Sequence, residues 1–180
     1  LWTKESFAGD LRIEYDFKRV DSHNKGVNII YIQATGDGQE NCEEDISQWS
    51  TQRKTAAMRD YFMNMHTYHL SYAAFSNKVI SNKDYIRGRR YLPLENKGLS
   101  ATELAGEYKN TGLFLDKQWI HVTIIKKAKE FWVEFKHPDK TVLCHFVNKE
   151  KPPIEKGRIG LRLMPKRLSH FKNFKVMKLK

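Results

Sequence analysis

The chain has 180 residues, 40% hydrophobic and 12% aromatic, which suits one domain spanning 1–180 with a sizeable core and excludes a disordered chain. Its 32 Lys and Arg against 21 Asp and Glu give a formal charge of +11, which favours nucleic acid, acidic lipid or acidic polysaccharide without choosing among them. No apolar run approaches a helical membrane span, and two cysteines, Cys42 and Cys144, are too few for a disulfide framework or a metal site and read as lone thiols. Much of the excess charge sits in a plain place: 166–180 carries six Lys or Arg residues and no acid, the pattern of a solvated surface. The chain opens on Leu1-Trp2-Thr3, with no signal-peptide pattern, so its first residues do not reveal a compartment. A secreted or periplasmic setting is the favoured expectation over a cytoplasmic one.

In chain order, the first clear element is Leu11 to Lys18, where apolar residues hold the odd positions and Arg12, Glu14, Asp16 and Lys18 the even ones. Such period-2 alternation predicts a strand with one buried face. Asn28 to Ala34 predicts a second strand. The segment Gly36 to Met65 differs: it is long, polar and charged, with Thr51 to Phe62 as its helical stretch, and a long excursion in a β-domain is commonly a functional loop or a disordered one. Tyr68 to Tyr72 predicts a strand with Tyr68, Leu70 and Tyr72 on the core face and His69 and Ser71 on the other. Ile120 to Ile124, Phe131 to Phe135, Val142 to Val147, Ile159 to Leu163 and Phe171 to Leu179 complete the strands. Turn signals separate them, at Gly36-Asp37-Gly38, His137-Pro138-Asp139 and Lys151-Pro152-Pro153. The pattern predicts an all-β fold, a two-sheet antiparallel sandwich.

Three constellations could carry chemistry. Glu14 and Asp16 share a strand face about 7 Å apart, a spacing that suits glycosidase carboxylates and equally a solvated sheet face. His69 with Ser71 places an imidazole, a general acid or base near neutral pH, in an aromatic strand, where a hydrogen-bonded structural role is the competing reading. His66 and His69, three apart on a strand, point to opposite faces and make no metal pair. The run Asp84 to Tyr91 joins Arg87, Arg89 and Arg90 to Tyr85 and Tyr91: arginine forks bind carboxylate or sulfate, and tyrosines meet sugar faces. The competing reading is a charged edge strand facing solvent. No zinc-finger, phosphate-loop, G-x-S-x-G or H-E-x-x-H motif occurs, so no metal and no cofactor is expected.

Taken together, Leu1 to Phe7, Tyr15-Asp16-Phe17, His69-Leu70-Ser71-Tyr72, the Arg87 run and Lys156 to Arg162 resemble, in this order, a bacterial family, the domain of unknown function nineteen sixty-one. That family is placed in the concanavalin A-like lectin/glucanase superfamily. The resemblance runs through nearly all of the chain, and the His-Leu-Ser-Tyr strand is its most specific piece. It implies a concanavalin A-like jelly roll with sugar on the concave face or its rim loops, and further strand-forming sequence ahead of the position matching Leu1. It carries over no reaction, but draws attention to His69, Tyr72, Arg87 and the Arg53-Lys54 pair.

The expected partner is therefore an oligosaccharide or polysaccharide, acidic in one version, rather than nucleic acid, and no insertion into a membrane is expected. Enzyme and binding module both stay open. A lyase or glycoside hydrolase would use His69, Arg87 and Tyr85 as catalytic groups, with Arg53, Lys54, Ser71, Arg89 and Trp49 holding substrate. A lectin-like module would use the same face, with Trp49 or Trp132 as platforms. His69 and Arg87 are expected to project together from the sheet face opposite the core, bordered by the Gly36–Met65 loop.

Overall fold

A computed structural model of the chain describes residues 1–55, 57–75, 83–93, 98–115 and 117–179, and of Arg53 the backbone only. Its strands are β1 (Trp2–Ala8), β2 (Leu11–Arg19), β3 (Asn28–Gly36), β4 (Met65–Phe75), β5 (Asp84–Tyr91) and β6 (Glu103–Lys109), then β7 (Ile120–Lys127), β8 (Glu130–His137), β9 (Lys140–Val147), β10 (Lys156–Leu163) and β11 (Ser169–Lys178). One α-helix, α1 (Met58–Asn64), lies between β3 and β4. The strands run in the order β1-β10-β3-β4-β5-β6-β9-β8-β7-β2-β11, antiparallel throughout. The β6–β9 junction is a single pair, Ala105 with Val147, and there the ribbon folds over into two layers. The first sheet is β1-β10-β3-β4-β5-β6 and the second β9-β8-β7-β2-β11. This is the predicted all-β antiparallel sandwich.

The alternation in β2, β7 and β8 does what period 2 requires. Leu11, Ile13, Tyr15 and Phe17 are fully buried between the sheets, as are Leu70, Tyr72, Val122 and Val133. Tyr72 of the first sheet meets Phe17 edge-on at 5.0 Å and Phe135 at 5.7 Å in the second, so aromatic pairs stitch the layers together. Cys42 and Cys144 are both free and buried.

A second apolar cluster lies on the other side of the first sheet. The 37–64 segment crosses that face and packs Cys42, Ile46, Trp49 and Tyr61 onto Ile29, Tyr31 and Tyr91. Strands β3 and β4 are consequently buried on both faces, and Gln33, Thr67, His69 and Ser71 with them. Gly36 makes this close return workable, since a Cβ there would sit 2.1 Å from the Glu43 carbonyl oxygen. The helix is shorter than Thr51 to Phe62 implies: a 3-10 turn at Gln52–Lys54 precedes α1. The competing reading of 84–91 as an edge strand does not hold, because β5 pairs with β4 on one side and β6 on the other.

At one end of the sandwich Arg19, Asp21 and Arg167 form a buried clasp. Arg19 Nε lies 3.2 Å from one Asp21 carboxylate oxygen and Arg167 Nε 3.4 Å from the other. Arg19 also donates to the carbonyls of Phe114 and His23 and rests on the Phe75 ring at 4.6 Å. Burial pushes the Arg167 guanidinium down to about 10, against the pull of Asp21.

Candidate functional site

Residues paired across antiparallel strands put their side chains on the same face. One such row crosses the outer face of the first sheet: Trp2 (β1), Gly160 (β10), Tyr31 (β3), His69 (β4), Arg89 (β5) and Glu103 (β6). A parallel row runs Arg162, Ile29, Ser71, Arg87, Glu107. Gly160 decides the geometry of the first row. Its absent side chain lets the Trp2 indole lie over β10, where a Cβ would meet the ring at 2.4 Å. Trp2 thereby stacks on Tyr31 at 5.5 Å with planes 14° apart, and Tyr31 stacks in turn on Tyr61 of α1 at 6.2 Å and 9°.

Beside this file of three rings lies a cleft of about 690 Å³ lined by Trp2, Tyr31, Tyr61, Ser47, Arg158 and Arg162, with Lys4 at its rim. Arg162 lies 4.0 Å above the Tyr61 ring, a cation–π contact, and hydrogen-bonds the Tyr31 hydroxyl. Arg158 grips Asp45 through Nε at 2.6 Å and Nη2 at 2.8 Å. Asp45 also caps the 3-10 turn Ile46–Gln48 by accepting from Ser47 N at 2.9 Å. The Arg158 fork, with the Ser47 bonds, holds the Asp45 carboxyl far below the usual carboxylate range. Burial pushes the Tyr31 hydroxyl well above the ordinary phenol range, outweighing Arg162, so it stays protonated and is no base. Among the described residues neither a carboxylate nor a histidine lines the cleft. It offers the partly exposed Trp2 ring and the cations Lys4 and Arg162, while Tyr31 and Tyr61 form its buried backing and Arg158 is taken up by Asp45 and the Thr3 and Lys4 carbonyls.

The residues singled out from the sequence fall elsewhere, and the expected site needs correction. His69 does point away from the inter-sheet core, and shares its face with Arg87 and Arg89. It does not meet solvent, being 2% exposed beneath the 37–64 segment. Its Nε2 is 2.6 Å from Ser71 Oγ and its Nδ1 is bound to the Tyr91 hydroxyl, so both ring nitrogens are engaged. Burial first, then Arg89 and Arg162, hold its pKa well below the usual histidine value. Arg87 is tied to Glu103 and Glu107 and lies over the Tyr85 ring at 5.0 Å. Arg89 donates to Glu103 at 2.9 Å and to the Leu99 carbonyl at 2.7 Å. Tyr85 is half-buried, and burial raises its hydroxyl pKa, which does not suit a proton-abstracting base.

Trp49 is no exposed platform. It is buried, donates Nε1 to the Glu43 carbonyl at 2.8 Å and supports Tyr61 from behind at 6.3 Å. Lys54 is exposed on the 3-10 turn, away from the cleft, and the side chain of Arg53 lies outside the described residues. Glu14 and Asp16 share the outer face of the second sheet, Glu14 bound by Arg12 and Asp16 by His121 and Asn173 at 2.8 and 2.7 Å. A hollow of about 910 Å³ at one end of the sandwich includes His66, Arg90 and Lys126, but its two buried cations are committed to the carbonyls of Pro152, Gly9 and Ile154. Among the described residues no group of three or more His, Cys, Asp or Glu could hold a metal ion, and no helix is long and apolar enough to cross a membrane.

Sequence reasoning missed Trp2, Tyr31, Tyr61, Arg158 and Arg162. The signal was present in Arg158-Ile159-Gly160-Leu161-Arg162, where two arginines share a face with a glycine between them. A glycine inside a strand marks close approach by another group, here the Trp2 ring.

No family model matches the chain, and no curated protein matches it. Solved structures do. A protein of unknown function with galectin-like fold from Bacillus subtilis superposes with a TM-score of 0.73 at 19% identity, over 98% of this chain and 76% of that one. A legume lectin-like domain from Entamoeba histolytica gives 0.59 at 9%, over 99% and 77%. The carbohydrate-binding module CBM66 from Bacillus subtilis gives 0.52 at 12%, over 97% and 78%. At these identities the likeness is one of fold: the chain has the lectin-like β-sandwich shared by galectin-like and legume-lectin-like proteins.

Proposed function

We propose that this protein is a non-catalytic sugar-binding module whose ligand is an acidic oligosaccharide or polysaccharide, held in the cleft of Trp2, Tyr31, Tyr61, Arg158 and Arg162. The observation that carries the reading is the partly exposed Trp2 ring, backed by the buried Tyr31 and Tyr61, beside Arg162 and Lys4 in one cleft. Aromatic rings cover the apolar faces of pyranoses, and guanidinium forks bind carboxylates in bidentate fashion. The lectin and carbohydrate-binding neighbours support the sugar class by analogy of fold, while the acidic preference rests on Lys4 and Arg162 alone. Binding without turnover is favoured because the cleft lacks a carboxylate or histidine for acid–base work and its buried tyrosine keeps its proton. Membership of the domain-of-unknown-function family nineteen sixty-one belongs to the same proposal, supported by the His-Leu-Ser-Tyr strand and by the galectin-like fold.

The test is a titration against oligomers of uronic acids and their neutral counterparts. Uronate oligomers are expected to bind, with affinity falling at least about tenfold in Trp2→Ala and in Arg162→Ala, the loss of one stacked ring or one charge-assisted pair. Equal affinity for neutral and acidic oligomers would remove the acidic preference. Unaltered binding in both variants would remove the cleft as the site. Release of unsaturated products, read by their ultraviolet absorbance, would overturn the non-catalytic reading in favour of a lyase.

A further inference from the structure

Trp2 is a wall shared by two cavities. On one side is the aromatic–basic cleft; on the other is a smaller seam of about 340 Å³ between the open edges of the two sheets. The seam is lined by Ile159 and Leu161 of β10 and by Phe171 and Phe174 of β11, and Leu1, Trp2, Thr3 and Leu161 border both cavities. Its floor belongs to the inter-sheet core: Phe171 and Phe174 pack on Tyr15 at 6.0 and 5.5 Å, and both are only partly buried. Here β1 and β11 are the terminal strands of their sheets, and among the described residues no further strand pairs with either.

We infer that the ligand of the cleft carries an apolar substituent, an alkyl or aryl group attached to its sugar, which crosses Trp2 and seats in this seam. The inference rests on the sugar-binding reading of the cleft. Three features favour this occupant. The seam adjoins the cleft, with Leu1, Trp2, Thr3 and Leu161 in the lining of both, so a substituent on a sugar bound in the cleft has one side chain to cross. It is lined by aliphatic and aromatic carbon, with polar groups confined to Thr3, Lys172 and Asn173 at the rim, so it recovers hydrophobic free energy only from an apolar guest. A second copy of the chain is a poor occupant, because pairing through β11 would bring Lys172, Lys175 and Lys178 of each copy together.

The probes are methyl β-glucuronide and octyl β-glucuronide, which share the sugar and the charge and differ in the alkyl chain. Binding is measured calorimetrically below the micellar concentration of the octyl compound, on wild type, Arg162→Ala and Phe174→Asn. The octyl compound is expected to bind at least about tenfold tighter than the methyl one, what burial of two or three methylene groups supplies. Arg162→Ala should weaken both probes. Phe174→Asn should abolish the octyl advantage and leave methyl glucuronide binding as in wild type, which shows at the same time that the variant is folded. Equal affinity of the two probes for wild type would overturn the inference while leaving the sugar-binding reading intact. An octyl advantage that survives Phe174→Asn would overturn it as well. Absence of binding by both probes would remove the sugar-binding reading of the cleft, and the inference with it.

Discussion

The imidazole of His69 is held between the Ser71 and Tyr91 hydroxyls in a pocket that also feels Arg89 and Arg162. Because its folded pKa is depressed, the unfolded chain binds the extra proton near pH 6.5 and the folded chain does not. The stabilisation due to neutral His69 is therefore complete above the unfolded pKa and lost as pH falls from about 6.5 toward the folded value, by up to about 1.4 kcal/mol per pH unit. Denaturant titrations at pH 7 and 5 should show wild type losing stability on acidification. His69→Asn should start about 1–3 kcal/mol less stable at pH 7, since two buried hydroxyls lose a partner, and should lose less on acidification. A variant with wild-type stability and an unchanged pH slope would contradict the buried placement of His69. On the sugar-binding account the same substitution leaves the rings and arginines of the cleft in place, whereas a lyase that relied on His69 would lose turnover.

At the scale of elements, two ionic devices position what the strands alone leave open. The Arg19–Asp21–Arg167 clasp is buried, so Asp21→Asn leaves two arginines facing each other without a counter-charge; the expected cost is about 3–5 kcal/mol, read as a lowered denaturation midpoint. The Asp45–Arg158 pair joins the 37–64 segment to β10 at a half-exposed place. Asp45→Asn should therefore change global stability little, yet speed proteolysis within 37–64 and weaken sugar binding, because Ser47 and Tyr61 lose their anchor to the cleft. Unchanged cleavage rates would mean that the apolar packing of Ile46, Trp49 and Tyr61 holds the segment by itself. The strands around the main core were legible because one face of each is wet: in β2, Arg12, Glu14, Asp16 and Lys18 mark the solvent side without ambiguity. The outer face of β4 was not legible. Period 2 says that His69 leaves the inter-sheet core, but not that another part of the chain comes back to cover it. β1 and β6 were missed for a related reason, since Trp2–Ala8 and Glu103–Lys109 are largely exposed strands whose alternation no deep core enforces. The site residues come from β1, β3, β10 and α1, four elements that become neighbours only through strand order, so no local motif could gather them.

For the whole molecule, the charge of +11 and the position of the cleft make separate statements. A general attraction of polyanions to the lysine-rich surface is screened by salt, whereas stacking on Trp2 is not. Raising sodium chloride from about 0.05 M to about 0.5 M should weaken uronate binding severalfold, through the few cations at the cleft, and leave its dependence on Trp2 unchanged. A loss of several decades with no sensitivity to Trp2 would indicate polyelectrolyte binding of the kind nucleic acids show. The two-sheet scaffold carries this arrangement on one outer face: the inter-sheet core fixes the strands, the 37–64 segment buries His69 and Trp49 as support, and the rings and arginines remain at the β1–β10 side. The most direct test is a crystal structure of the protein with a bound oligouronate. The account predicts density for a sugar ring against Trp2, with its carboxylate within hydrogen-bonding distance of Arg162. Density at Arg87 and Glu107, or on the outer face of the second sheet beside Asp16 and His121, with the cleft empty, would contradict it.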